Sequence, residues 1–106
     1  MSTQKTRRQM LEEFVAANPT DAFARYGLAL ELSRSGDTQA AGAQFEALLQ
    51  NNPDYVAAYQ MYGQMLAESG NAAKARDVLQ KGIATAQKAR NTHAVDEMQG
   101  LLDTLG

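Results

Sequence analysis

The single histidine, His93, is the side chain best suited to proton transfer or metal ligation in this sequence, and it stands alone. No cysteine and no second histidine exist to complete a zinc site around it. It falls just after an expected helix start, where a solvated imidazole is the ordinary state. Two adjacent acid pairs, Glu12 with Glu13 and Asp96 with Glu97, have the residue types of a general acid and base. Sequence neighbours on a helix point in different directions, so neither pair converges on one bond, and both read as solvated faces. Ser33, Ser35 and Ser69 sit at expected helix C-termini without the flanking glycines of a nucleophile elbow. Lys74, Arg76, Lys81, Lys88 and Arg90 are basic against one acid, Asp77, and have the charge to meet phosphates. They lack the interleaved aromatics of a stacking platform, and the acidic stretch that follows predicts neutralisation within the fold. The expectation is a chain that is not an enzyme, with no catalytic residue, no metal ligand set and no cofactor.

Composition narrows the partners in the same direction. A formal net charge of −2 gives no general attraction to nucleic acid. Charged or amide residues interrupt every apolar run well short of the roughly 18 residues of a membrane span. Lys5, Arg7 and Arg8 are not followed by the apolar region of a signal peptide, so export by that route is not expected. The absence of cysteine fits a reducing compartment, and the expected location is cytoplasmic. A chain of 106 residues is about one domain, able to bury roughly 60 to 70 per cent of its unfolded surface without staples.

The elements that must position any site are helices. From Thr6 to Ala17, Met10, Leu11, Phe14 and Val15 have helical spacing, and Thr6 with Gln9 forms a capping box. Asn18-Pro19 then stops the helix, because proline disfavours the helical conformation before it and has no amide to donate. Between Asp21 and Ser35, Phe23, Tyr26, Leu28, Ala29, Leu30 and Leu32 cover more than one stripe. Gly36 suits the left-handed position after a helix end, and Asp37 caps the next helix, which runs to about Asn51. Asn52-Pro53 repeats the punctuation, and helices from Tyr55 to Ser69 and from Asn71 to about Ala89 follow, parted by Gly70.

The chain superposes on itself at an offset of 34 residues: Asn18 on Asn52, Pro19 on Pro53, Leu32 on Leu66, Gly36 on Gly70 and Ala41 on Ala75. Leu11 falls one period before Phe45 and Phe14 before Leu48, so the leading helix looks like the second helix of a pair whose first is missing. After Arg90 the register fails. There Ala94, Val95, Met98, Leu101, Leu102 and Leu105 form one apolar stripe opposite Asp96, Glu97, Gln99 and Asp103, as a capping helix would.

Tyr59-x2-Tyr62-Gly63-x2-Leu66, followed by Ala75-x3-Leu79, resembles the tetratricopeptide repeat (TPR) pattern at its 34-residue period. The resemblance covers about residues 6 to 90. Arg25, Leu28, Ala29, Leu32, Ala41, Phe45, Leu48 and Pro53 fill the signature in the first repeat; Tyr59, Tyr62, Gly63, Leu66, Ala75, Leu79, Gly82 and Gln87 fill it in the second. Arg25 replaces the usual aromatic, which suggests a looser start to the stack. Gln87 replaces the closing proline, which suggests a second helix that runs past its usual end. The resemblance implies an all-α, TPR-type α-solenoid of antiparallel helix pairs, about six helices in a single domain over 1–106. Its parts are a leading helix 6–17, repeat one 21–53, repeat two 55–89 and a capping helix 92–105.

The family implies a module that binds a peptide or helix of a partner protein in a concave groove lined by the first helix of each pair. In this register the groove residues are Phe23, Tyr26, Leu30 and Arg34, then Gln60, Met61, Gln64 and Glu68, with Ser33 and Ala57 beside them. Members that clamp a C-terminal carboxylate carry lysine, arginine and asparagine where this chain has Tyr26, Gly27, Leu30, Gln60, Met61 and Gln64, so that ligand is disfavoured. The alternative is a structural self-assembly module, a homodimer among its forms, that associates through the N-terminal apolar flank near Phe23 and Tyr26. A helix with two apolar stripes needs two partners. If the helix 6–17 covers Phe23, Tyr26 and Leu30, that second partner lies within the fold.

Overall fold

Asparagine, aspartate or threonine opens most of the helices here, and the reason is visible at each N-terminus. In the computed structural model, which describes residues 4–105, six helices follow one another: α1 (Arg7–Ala17), α2 (Ala22–Arg34), α3 (Thr38–Asn51), α4 (Val56–Glu68), α5 (Ala72–Lys88) and α6 (Thr92–Asp103). Among the described residues there is no strand. Thr6 and Gln9 exchange hydrogen bonds at the head of α1, Gln9 N to Thr6 Oγ1 at 3.1 Å and Thr6 N to Gln9 Oε1 at 2.9 Å. Asp21, Asp37, Asn71 and Asn91 each accept from the amide three residues on. Every such bond satisfies a donor that the helix itself leaves without a partner.

Three of the turns between helices are one device used repeatedly. After α2, α4 and α5 the chain reverses through a residue at positive φ: Gly36 at 85°, Gly70 at 86° and Arg90 at 57°. In each, the next amide donates back over the helix end, Asp37 N to Leu32 O, Asn71 N to Leu66 O and Asn91 N to Ala86 O, all at 2.9 Å. This is the helix-ending arrangement that glycine favours, since it lacks the Cβ that crowds a left-handed backbone. Arg90 holds that conformation with a side chain. Relief of its strain, set against the greater freedom of glycine in the unfolded chain, predicts that Arg90→Gly stabilises the fold by about 0.5 to 1 kcal/mol. Thermal unfolding should show a midpoint a few degrees higher, and a lower midpoint would contradict this account.

The helices form two compact units, Met1–Leu48 and Leu49–Gly106. The first holds α1, α2 and most of α3, with a core that includes Val15, Leu28, Leu32 and Phe45. Here α1 lies along α2: Leu11 Cδ2 approaches within 3.7 Å of where a side chain on Gly27 would begin, and Arg7 reaches Glu31 at 3.3 Å. The second unit packs α4, α5 and α6 around Tyr62, Leu66, Leu79 and Met98. Two glycines set its spacing. A Cβ on Gly63 would lie 2.5 Å from Leu79 Cδ2, and one on Gly82 would lie 2.5 Å from Tyr59 Cβ and 2.6 Å from Met98 Sδ. Small residues at these two positions let the helices of this unit approach closely.

The two departures from the repeat pattern have physical explanations. Tyr59 donates its hydroxyl to the Pro53 carbonyl at 2.7 Å. At the equivalent place Arg25 donates Nη2 to the Pro19 carbonyl at 3.1 Å, and its Nη1 reaches Gln44 Oε1 at 2.7 Å. Arginine therefore ties the start of the first pair to the same carbonyl, which corrects the expectation of a looser start. At the other departure, α5 has 17 residues where α3 has 14, and it continues past Gln87 to Lys88 as expected without proline.

Candidate functional site

On α2 the side chains divide as helical geometry requires. Leu28, Ala29 and Leu32 are buried, while Phe23, Tyr26, Leu30 and Arg34 lie on a different face. Phe23 is 70% exposed, Arg34 is exposed, and Tyr26 and Leu30 are half-buried. Because α1 contacts α2 at Gly27 and Glu31, it leaves Phe23 uncovered. The reading in which α1 buries all three apolar residues therefore fails at Phe23. Phe23 is thus a large aromatic held in water at the first turn of a capped helix.

The corresponding face of α4 has a different character. Gln60, Met61 and Gln64 are half-buried and Glu68 is exposed. Gln60 Nε2 donates to Glu97 Oε2 at 2.9 Å, and Glu97 also pairs with His93 one turn earlier on α6. So α6 stands beside α4 on this face, and part of the Gln60 amide is already engaged. The sequence reading left α6 out of the face. An offset of 36 instead of 34 shows why it belongs: Ala94 then matches Ala58, Met98 matches Tyr62, and all four are buried. His93, Asp96, Glu97 and Gly100 fall on the positions of Ala57, Gln60, Met61 and Gln64. The lengthened α5 delays the register by two residues, and the absent proline at Gln87 was the available signal.

This second face is rich in amides and carboxylates, with open space above Gly100, where an added Cβ meets nothing within 4 Å. His93 is highly exposed and its partner is a single carboxylate. Among the described residues no group of three or more histidines or acids could share a metal ion. Three basic side chains of α5 are engaged within their unit: Lys74 lies 5.8 Å from the Tyr62 ring centre, Arg76 donates to the Leu105 carbonyl at 3.3 Å, and Lys81 pairs with Asp77 at 3.4 Å. A cavity of about 500 Å³ opens at the elbow between α5 and α6, walled by Ala86, Arg90, Val95 and Asp96. Among the described residues no helix is long and apolar enough to cross a membrane.

Comparison with known proteins agrees with this geometry. A family model described as tetratricopeptide repeat matches residues 32–95. A TPR repeat-containing protein of Pseudomonas aeruginosa is 28% identical over 95 residues, covering 90% of this chain and 90% of that protein. The solution structure of a Bordetella parapertussis protein superposes with a TM-score of 0.83 at 26% identity, over 96% of this chain and 89% of the other. A tetratricopeptide repeat domain protein of Salinibacter ruber, also solved in solution, gives a TM-score of 0.76 at 30% identity, over 82% of this chain and 88% of its own. The chain belongs to the tetratricopeptide repeat family, and its fold is the all-α, TPR-type α-solenoid.

Proposed function

We propose that this protein is a non-enzymatic interaction module that holds a peptide or helix of a partner protein against the first-helix faces of its repeats. The TPR fold is that of a protein-interaction or scaffold module, and family members are generally not enzymes. The observation that carries the finer reading is Phe23, 70% exposed on a helix whose opposite face is core. Phe23, Tyr26, Leu30 and Arg34 would take the apolar anchors of a bound segment. Gln60, Met61, Gln64 and Glu68, with Asp96 and Glu97 beside them, suit its backbone amides and basic side chains.

Peptides selected by display against the folded protein, followed by NMR shift mapping, give the test. Shifts should concentrate on these residues, and replacing Tyr26 and Leu30 together by serine should weaken binding by about 2 kcal/mol or more with the helical signal intact. A double variant that unfolds would make these residues core. One that stays folded and binds every selected peptide as before would remove the proposal.

A second reading, self-assembly through the N-terminal apolar flank, is favoured by one distribution. Met10, Phe14 and Phe23, the exposed large hydrophobic side chains among the described residues, all lie in the first unit. Sizing across a concentration range separates the two readings.

A further inference from the structure

In both repeats a long side chain near the start of the first helix bridges back to the turn before it. Arg25 on α2 donates to the Pro19 carbonyl at 3.1 Å, and Tyr59 on α4 donates to the Pro53 carbonyl at 2.7 Å, each across six residues. The offset of 36 that sets Ala94 on Ala58 and Met98 on Tyr62 also sets Val95 on Tyr59. Valine has no donor and ends two bonds from its Cα, so α6 makes no such bridge. The cavity of about 500 Å³ at the elbow of α5 and α6 lies beside this short side chain, and its wall is chiefly apolar. Of the three first-type helices, α6 alone has no long side chain at this position.

A second observation concerns the same cavity. Arg90 turns the chain at φ 57°, where Gly36 and Gly70 make the equivalent turns. A side chain makes that conformation costly, and backbone outliers of this kind cluster at functional positions. The guanidinium does not offset the cost within the fold, because among the described residues it makes no hydrogen bond or ion pair. It stands on the cavity rim. Asp96, on the same rim, has no side-chain partner among the described residues either.

We propose that this cavity receives an aromatic side chain of a partner protein, carried on a segment with an acidic residue beside it to meet Arg90. The ring takes the part that Tyr59 plays in its own repeat and lies against the methyl groups of Ala86 and Val95. The guanidinium meets the neighbouring carboxylate and the ring itself, and the Asp96 carboxylate meets a basic residue on the other side of the aromatic. This contact goes beyond the first-helix faces, since Ala86 and Arg90 belong to neither of them.

The probe for the test is a blocked tripeptide of glutamate, tyrosine and lysine, titrated into the native chain and followed by NMR. Shifts should saturate at Ala86, Arg90 and Val95 with a dissociation constant of about 0.1 to 1 mM, as a contact of few atoms allows. With leucine in place of tyrosine, the peptide should bind roughly fivefold more weakly. Val95→Tyr fills the cavity from within, so its melting temperature should equal or exceed the native value while binding falls about tenfold or more. Arg90→Gly separates binding from folding: it relieves the turn and should keep or raise the melting temperature, yet weaken the peptide roughly fivefold. Shifts confined to Gln60, Met61 and Gln64 would put the peptide on the first-helix face and overturn the elbow site without touching the groove reading. Absence of any shift at about 10 mM peptide also overturns it. So does a leucine peptide that binds equally well, a Val95→Tyr chain that melts lower or binds as before, or an Arg90→Gly chain with native affinity.

Discussion

Removing residues 91–106 should leave a protein that is insoluble or partly unfolded. The expected loss follows from what α6 covers. Met98 is fully buried, its sulfur fitted over Gly82 and beside Tyr59, and Ala94 is buried near it. Leu101, Leu102 and Leu105, read from the sequence as the main cover, are each only half-buried. At about 1.5 to 3 kcal/mol for a large side chain fully buried, Met98 and three half-buried leucines together contribute roughly 5 kcal/mol. A domain whose whole stability is about 5 to 15 kcal/mol cannot lose that and remain robust. The bonds from Gln60 to Glu97 and from Arg76 to the Leu105 carbonyl disappear as well. A truncated chain with the native melting temperature would show that α6 is not part of the cooperative fold.

Substitution of Gly82 by leucine should be nearly as damaging, although the internal repeat argues for tolerance. In the first pair the same position is Leu48, which is fully buried. In the second, the space where a side chain would begin is filled by Tyr59 Cβ at 2.5 Å and Met98 Sδ at 2.6 Å. The methionine end can move, but a tyrosine Cβ moves only with its backbone, so α4 must shift from α5. Overpacking of this kind costs about 1 to 3 kcal/mol per insertion, and the three further carbons of leucine place the expected loss at about 3 kcal/mol or more. The gain of about 1 kcal/mol from removing a helix-interior glycine does not offset it. Gly27→Ala is the control, because its Cβ would meet Leu11 Cδ2 at an ordinary 3.7 Å. That variant should be as stable as the native chain or more so. Equal melting temperatures for Gly82→Leu and the native protein would show that the helices separate freely.

The family and the helix order were legible in the sequence because they are written in local chemistry. Asn-Pro stops, Gly-Asp and Gly-Asn turns and the 34-residue recurrence each act over a few residues, and the helix ends fall where those signals stand. What the sequence hid were substitutions in which one residue type does the work of another. Arg90 turns the chain as Gly36 and Gly70 do, so the third turn carries no glycine to announce it. The equivalence of α6 to α4 was hidden by a shift of two residues, and with it the carboxylates that share the face of Gln60. Exposure was the least legible quantity. Phe14 and Phe45 both read as apolar residues at helical spacing, yet one is half-exposed and the other fully buried.

The clamp that Arg25 and Tyr59 place on equivalent proline carbonyls bears on how likeness between repeats is recognised. What both positions share is a donor with the reach to find one oxygen, and a guanidinium and a phenol supply it through unrelated shapes. The two repeats of one chain can then differ in the visible mark of their kinship while the joint it secures stays closed in each.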